Sequence, residues 1–212
     1  RLPSLRSLDG GREIVVSQGT FSKALCPALR LGWIAAPKEV LSRLILAKRA
    51  SNLSTNSLTQ IILARFLEEG LFEEHLKIVR STYKNRRDVM LLQLAHELNN
   101  LKDKRGNNIE VSWSNPHGGM FIWLKLPEGY STRELLAHAQ YNKVAYAPGH
   151  VCFNSSQNTQ YLRLCFIQHD ENSIREGIRR LKTALLDYVN EIADRNIRKN
   201  SYVFSAHGHN FI

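Results

Sequence analysis

The 212-residue sequence is poor in cysteine: Cys26, Cys152 and Cys165 are all it has. Three scattered thiols are too few for a disulfide framework or a cysteine zinc site, so buried free thiols in a reducing cytoplasm are expected. Long hydrophobic runs are missing as well. No apolar stretch approaches the ~20 residues of a membrane helix, and the N-terminus lacks a charged-then-apolar signal pattern. The eight histidines include no HExxH or comparable metal spacing, and His207 and His209 in the tail stand too isolated to count. Internal repeats are absent. The chain opens on Arg1 rather than a methionine, which leads us to expect a fragment or a processed form.

What is present is an ordinary globular composition, 43% hydrophobic and 23% charged, long enough for one large or two small domains. The net charge of +10 admits a polyanionic partner. The basic residues are widely spread, however. Their densest groups, at 84–87 and 175–182, fall on amphipathic helical patterns where a solvated face is the expectation.

The chain is organised around Gly19-Thr20-Phe21-Ser22-Lys23 and its continuation to Arg30-Leu31-Gly32-Trp33. Two apolar runs flank this stretch, Ile14-Val15-Val16 and residues 31–36, and both read as short buried strands. A lysine beside buried strands is costly unless paired, neutral or covalently used. Two hydroxyls and an arginine seven residues after the lysine suit a phosphate, because guanidinium forks bind phosphate oxygens in a bidentate way. Lysine plus phosphate cradle is the outline of a pyridoxal phosphate site, with the lysine forming a Schiff base to the cofactor aldehyde.

The run Ser22-Lys23-x-x-x-Pro27-x-x-Arg30-x-Gly32-Trp33 resembles the lysine motif of fold-type I pyridoxal-phosphate aminotransferases. The branch it is most similar to holds 2-aminoadipate-type aminotransferases and the aminotransferase domains of MocR-type regulators. Three further stretches keep the same order: Pro116-His117-Gly118-Gly119-Met120-Phe121-Ile122-Trp123, Val144-Ala145-Tyr146-Ala147-Pro148-Gly149 and Leu162-Arg163-Leu164-Cys165-Phe166. The resemblance covers about residues 3–190. It implies an α/β fold: the end of the large cofactor domain, an incomplete and mostly parallel sheet with helices, followed by a small α+β C-terminal domain.

It also implies roles. Lys23 is the catalytic lysine, holding pyridoxal 5'-phosphate and then shuttling a proton at the substrate α-carbon; the alternative is an exposed loop lysine. Thr20, Ser22 and Arg30 join Lys23 in binding the cofactor, against local turn capping for the hydroxyls and a surface ion pair for Arg30. Arg163 clamps the amino-acid carboxylate, against an internal salt bridge. Gly119, named with Arg163 as substrate-binding, allows with Gly118 close backbone approach of the small domain to the active site, against a plain strand-entry turn. Tyr146 to Gly149 is given structure rather than chemistry. The substrates implied are an amino acid and a 2-oxo acid, and the complete protein is expected to be a homodimer. Nucleic acid becomes a partner only if a DNA-binding domain lies upstream, as in a MocR-type regulator that binds cofactor without turnover. The family's phosphate cup, ring-stacking aromatic and pyridine-binding aspartate precede the lysine motif and have no room in residues 1–18. The chain is therefore expected to supply one wall of such a site.

Periodicity divides the rest. Residues 1–72 read as the large-domain part, with Pro37 opening a helix over Val40, Leu41, Leu44, Ile45 and Ala47. A second helix, after the cap-rich break at 51–57, is expected to end near Gly70. Residues 73–193 read as the small domain, entered by a long helix whose stripe from Phe72 to Leu98 is interrupted at Arg86-Arg87-Asp88. Strands are expected at 109–113, 119–126 (buried on both faces), 144–147 and 161–166. Ser131-x-x-Glu134 and Ser173-x-x-Glu176 read as capping boxes. The tail, 194–212, looks loosely ordered.

Overall fold

The computed structural model describes residues 3–153 and 159–207. It divides into two compact units, 1–81 and 82–212.

In the first unit, β1 (Ser17–Thr20) pairs with β2 (Gly32–Ala35), Gly19 facing Trp33. The pairing is antiparallel: the connection 21–31 is too short for the crossover a parallel pair needs. Contrary to expectation, Ile14-Val15-Val16 precede the strand instead of forming it, and Ile14 and Val16 are exposed. Trp33 and Ile34 are also exposed, because among the described residues this sheet has two strands and no covering layer. Helices α1 (Lys38–Asn52) and α2 (Ser57–Glu68) form as the pattern predicts. Asn56 caps α2 by accepting the Thr59 amide at 3.1 Å, and Gly70 takes the left-handed conformation that stops it (φ 73°). Leu46, Leu53, Leu58, Ile61 and Ile62 nevertheless lie exposed. Amphipathic patterning here specifies a face without burying it.

Helix α3 (Leu71–Leu98) has no internal glycine or proline and runs unbroken through the polar interruption. Its C-terminal half opens the second unit. There β3 (Ser112–Trp113), β4 (Phe121–Lys125), β5 (Ala147–Pro148) and β6 (Tyr161–Cys165) form an antiparallel sheet in the order β3-β4-β6-β5. Helices α4 (Thr132–Tyr141) and α5 (Glu171–His207) complete the unit. Leu94 and Leu98 of α3, Leu135 and Ala139 of α4, and Ile178, Leu181 and Leu185 of α5 form one core with Ile122, Leu124, Leu162 and Leu164 of the sheet. Full burial of each such leucine or isoleucine contributes about 1.5–3 kcal/mol.

Several details correct the sequence reading. β4 alternates buried and half-buried residues, so one face of the sheet is covered and not both. β3 and β5 are two-residue pieces, and β5 starts at Ala147 rather than Val144. Helix α5 starts before Ser173, whose amide donates to the Asp170 carboxylate at 2.8 Å; Glu176 pairs instead with Arg179 and Arg180. The Ser131 box is half formed. Ser131 Oγ accepts the Glu134 amide, but the return arm passes through Tyr188, whose hydroxyl accepts the Ser131 amide at 2.8 Å and donates to Glu134 at 3.2 Å. α5 continues to His207, past the end of its apolar stripe; residues 208–212 lie outside the described residues. Cys152, at the end of the turn after β5, is exposed rather than buried.

The basic clusters are also not simply solvated. Lys182 Nζ reaches the Glu97 carboxylate at 2.9 Å, and Glu97 is only 8% exposed. Gln93 also donates to it, and His96 lies at 3.2 Å. The Lys182 hydrogen bond holds the Glu97 carboxyl below its usual 4.5. The folded state then binds fewer protons than the unfolded chain, so this stabilisation is present above pH ~4.5 and disappears as pH falls through the lowered value. Melting temperatures measured from pH 6 to pH 3 should fall, and Glu97→Gln should flatten that fall. An unchanged slope would exclude Glu97 as a source.

Gly149 is buried where a Cβ would stand 2.5 Å from the Tyr161 carbonyl oxygen. That neighbour is strand backbone and cannot turn aside. Gly149→Ala should destabilise the second unit by about 1–3 kcal/mol, read as a lower urea midpoint at unchanged slope.

Candidate functional site

The lysine loop is held by its own backbone. The Phe21 amide donates to the Leu31 carbonyl at 3.1 Å, and the Leu25 and Cys26 amides return to the Phe21 carbonyl. Pro27–Leu29 form a 3-10 turn closed by Arg30, which sits in the left-handed region (φ 52°). For a non-glycine residue that conformation costs about 1–2 kcal/mol. Leu31 is buried, and the Phe21 ring meets Phe72 edge-on at 5.9 Å. Gly19 has no room for a side chain: a Cβ would lie 2.4 Å from the Trp33 indole. The loop is thus pinned at both ends while its middle faces outward.

Lys23 and Arg30 are exposed, and neither side chain makes an ion pair or hydrogen bond to a described residue. The surface ion pair weighed for Arg30 is not formed with any described residue. Thr20 is engaged locally: its hydroxyl donates to the Leu31 carbonyl at 3.3 Å and accepts the Ser22 amide at 3.1 Å. That is the turn-capping alternative for this hydroxyl. The half-buried Ser22 hydroxyl has no described partner. An amine, a guanidinium and a hydroxyl on one pinned loop, none with a partner among the described residues, are a donor set that fits a phosphate dianion and an aldehyde-bearing ring.

The remaining predicted residues lie in the second unit. Arg163, half-buried, stands on β6 opposite Trp123 on one side and Ala147 on the other. Its guanidinium stacks on the Phe121 ring at 4.1 Å. It makes no salt bridge to a described residue, so the internal ion pair weighed for it is not seen among the described residues. Stacking covers the face of a guanidinium and leaves its edge N–H groups free, which suits bidentate capture of a carboxylate. An open cavity of about 960 Å³ adjoins it, lined also by Lys143, Tyr146, His169 and Arg180. Trp123, Phe153 and Tyr161 cluster on the same sheet face, with ring centroids 5.5–6.4 Å apart.

Gly119 takes φ 82°, and nothing stands within 4 Å of where its Cβ would be. Its glycine requirement is conformational: it turns the chain into β4. The Tyr146 hydroxyl donates to the Thr132 carbonyl at 2.6 Å, and burial pushes its ionisation far above the usual value.

Sequence reasoning gave no role to Phe121, Arg86 or Arg87. Phe121 stood inside a recognised motif without a function. The two arginines were visible only as a break in an apolar stripe, a pattern that solvated residues produce equally well.

Comparisons with known proteins bear on most of the chain. The family model for aminotransferase class I and II matches residues 4–181. Aromatic-amino-acid aminotransferase 1 of Thermococcus litoralis is 39% identical over 167 residues, covering 79% of this chain and 38% of that protein. The HTH-type transcriptional regulator TauR of Rhodobacter capsulatus is 31% identical, over 86% of this chain and 36% of its own. Among solved structures, LysN, the α-aminoadipate aminotransferase of Thermus thermophilus complexed with N-(5'-phosphopyridoxyl)-L-leucine, superposes with a TM-score of 0.81 at 36% identity, over 89% of this chain and 46% of its own. The chain thus spans less than half the length of these relatives. With the family model matching residues 4–181, most of its length, the chain belongs to the class I and II aminotransferases.

Proposed function

We propose that this chain carries the lysine and carboxylate-binding parts of a pyridoxal-phosphate-dependent aminotransferase, which moves an amino group from an amino acid to a 2-oxo acid. The observation that carries the reading is the place of Lys23 in the motif Ser22-Lys23-x-x-x-Pro27-x-x-Arg30, on the loop between β1 and β2 and within the residues that the aminotransferase family model matches; its exposure is equally that of a plain loop lysine. The chemistry a bound pyridoxal phosphate supplies is an aldehyde carbon reactive toward amines and a ring that withdraws electrons. Lys23 is the residue that would hold that carbon, through its neutral Nζ and with loss of water, and its free amine would be the group that moves a proton at the substrate α-carbon. Ser22 and Arg30 bind the phosphate, with Thr20 holding the Ser22 backbone in place. Arg163 orients the substrate carboxylate, and the turn at Gly119 leaves the backbone beside it uncovered.

Residues 1–72 are read as the end of the large cofactor domain and 73–193 as the small domain, with 194–212 as a tail. The exposed apolar positions of α1 and α2 support assembly with further protein, a homodimer in the complete molecule. Free thiols, and the lack of any described helix long and apolar enough to cross a membrane, suit the cytoplasm. A second reading is favoured by the similarity to TauR: an aminotransferase-like domain that binds cofactor and effector without turnover.

Titrating the chain with pyridoxal phosphate while following visible absorbance, then reducing with borohydride and mapping peptides, tests the reading. The label is expected on Lys23. A label elsewhere, or none, would sink it. Amino-acid-dependent release of a 2-oxo acid then separates enzyme from regulator.

A further inference from the structure

Helix α3 reaches both chain segments at one end of the second unit's sheet. Arg87, whose side chain is only 18% exposed, donates through Nη1 to the Pro116 carbonyl at 3.1 Å. Its Nε and Nη2 both donate to Asp88, at 2.8 and 2.6 Å, which fixes the plane of the guanidinium. Arg86, one residue earlier, donates through Nη1 to the Ile167 carbonyl. Pro116 begins the turn that runs through Gly119 into β4, and Ile167 follows the end of β6. The two segments are joined by the Phe166 amide donating to the Met120 carbonyl at 3.2 Å. Just inside this doubly held end lie Phe121 and, across the ladder, Arg163, stacked at 4.1 Å.

A guanidinium resting on a ring is aimed by that ring, and the ring stands on the first residue after the turn that Arg87 holds. Given Arg163 as the carboxylate group, on which this role depends, we propose that Arg87 is a positioning residue for substrate binding. By holding the 116–120 turn it fixes the Phe121 ring and so the direction of the Arg163 N–H edge; Arg86 secures the opposite segment. Two half-buried arginines that each give one guanidinium donor to a backbone carbonyl distant in the chain, Arg87 with its plane fixed by Asp88, suit such a role. A bidentate carboxylate contact weakens steeply when its geometry is lost.

The test compares two probes on the full chain: N-(5'-phosphopyridoxyl)-L-leucine and its counterpart made with 3-methylbutylamine, which lacks only the carboxylate. The ratio of their affinities reads the carboxylate contact alone. The unsubstituted chain should prefer the acid by ~30-fold, as a charge-assisted pair would give, and Arg163→Ala should bring the ratio near one. Arg87→Gln should cut the ratio by ~10-fold while leaving affinity for the decarboxylated probe within about twofold. Backbone amides at 118–120 should exchange hydrogen faster in that variant, with those of β6 unchanged. Arg87→Lys, which can still reach the Pro116 carbonyl, should recover much of the ratio. Equal loss of both probes in Arg87→Gln would mean a purely structural role and overturn the proposal. So would an unchanged ratio. A ratio near one in the unsubstituted chain, or one that Arg163→Ala leaves unchanged, would overturn the carboxylate reading itself, and the exchange data would still show whether Arg87 orders the turn.

Discussion

Lys23→Arg abolishes the visible band formed with pyridoxal phosphate and the borohydride label, and leaves the fold intact. Arginine keeps the positive charge and most of the length of lysine, so the ionic attraction for phosphate survives. What it cannot do is lose its proton: a guanidinium stays charged throughout the accessible pH range, whereas a lysine can be brought to neutrality by desolvation or by imine formation. A charged group neither attaches to an aldehyde carbon nor accepts a proton from a substrate. Turnover by the complete enzyme should fall by ~10⁴ or more. Stability should change by less than about 0.5 kcal/mol, because Lys23 makes no ion pair or hydrogen bond to a described residue. The separation is the informative part. Absorbance and mass mapping report the chemistry, and a melting curve reports the fold. A variant that kept the band would show that the cofactor attaches elsewhere.

Arg163→Ala raises the Michaelis constant for amino acids by roughly 100-fold in the complete enzyme, the size expected when a charge-assisted bidentate contact is removed. Arg163→Lys should restore little of it. An ammonium offers a point charge where a planar fork is needed, and it would not lie flat on Phe121 as the guanidinium does at 4.1 Å. Since Arg163 forms no salt bridge to a described residue, its removal leaves no buried acid without a partner, and the fold should persist. A Michaelis constant unchanged in Arg163→Ala, with the protein folded, would return the residue to a structural role. The Glu97 carboxylate gives a useful contrast. It is buried and paired, so its loss should appear in the acid limb of stability.

Much of the candidate site was legible because its residues are local in the chain. Lys23, Ser22 and Arg30 fall within one short loop, and the glycines bounding it follow from close approach: Gly19 beneath the Trp33 indole, and Gly32 with its Cβ position 2.9 Å from the Gly19 carbonyl. The helices were legible for the same reason, since a 3.6-residue period and a capping residue are read within a few turns. Thr20 was legible as a hydroxyl on the loop; that its donor is already given to Leu31 was not.

What failed were the judgements that depend on a neighbour distant in the chain. A continuous apolar run at 119–126 cannot say whether one face or two will be covered, and β4 shows one. Ser173 satisfies a capping box as well as Asp170 satisfies a single cap; the register of α5 against the core selects the latter. Arg86 and Arg87 are the sharpest case. In sequence they interrupt an apolar stripe, as solvated arginines do. In the fold their partners are carbonyls 81 and 29 positions further along.

The sequence by itself therefore determined the lysine loop, the order of the motifs and the family, because each rests on residue types at short spacing. Only the tertiary structure decided what those residues face. It set Arg163 on an aromatic ring, with no acid paired to it among the described residues, and turned a break in a helical stripe into a hold on the sheet end beside Phe121. The physical reason is that a side chain's identity travels with the chain, whereas its partner is chosen by packing.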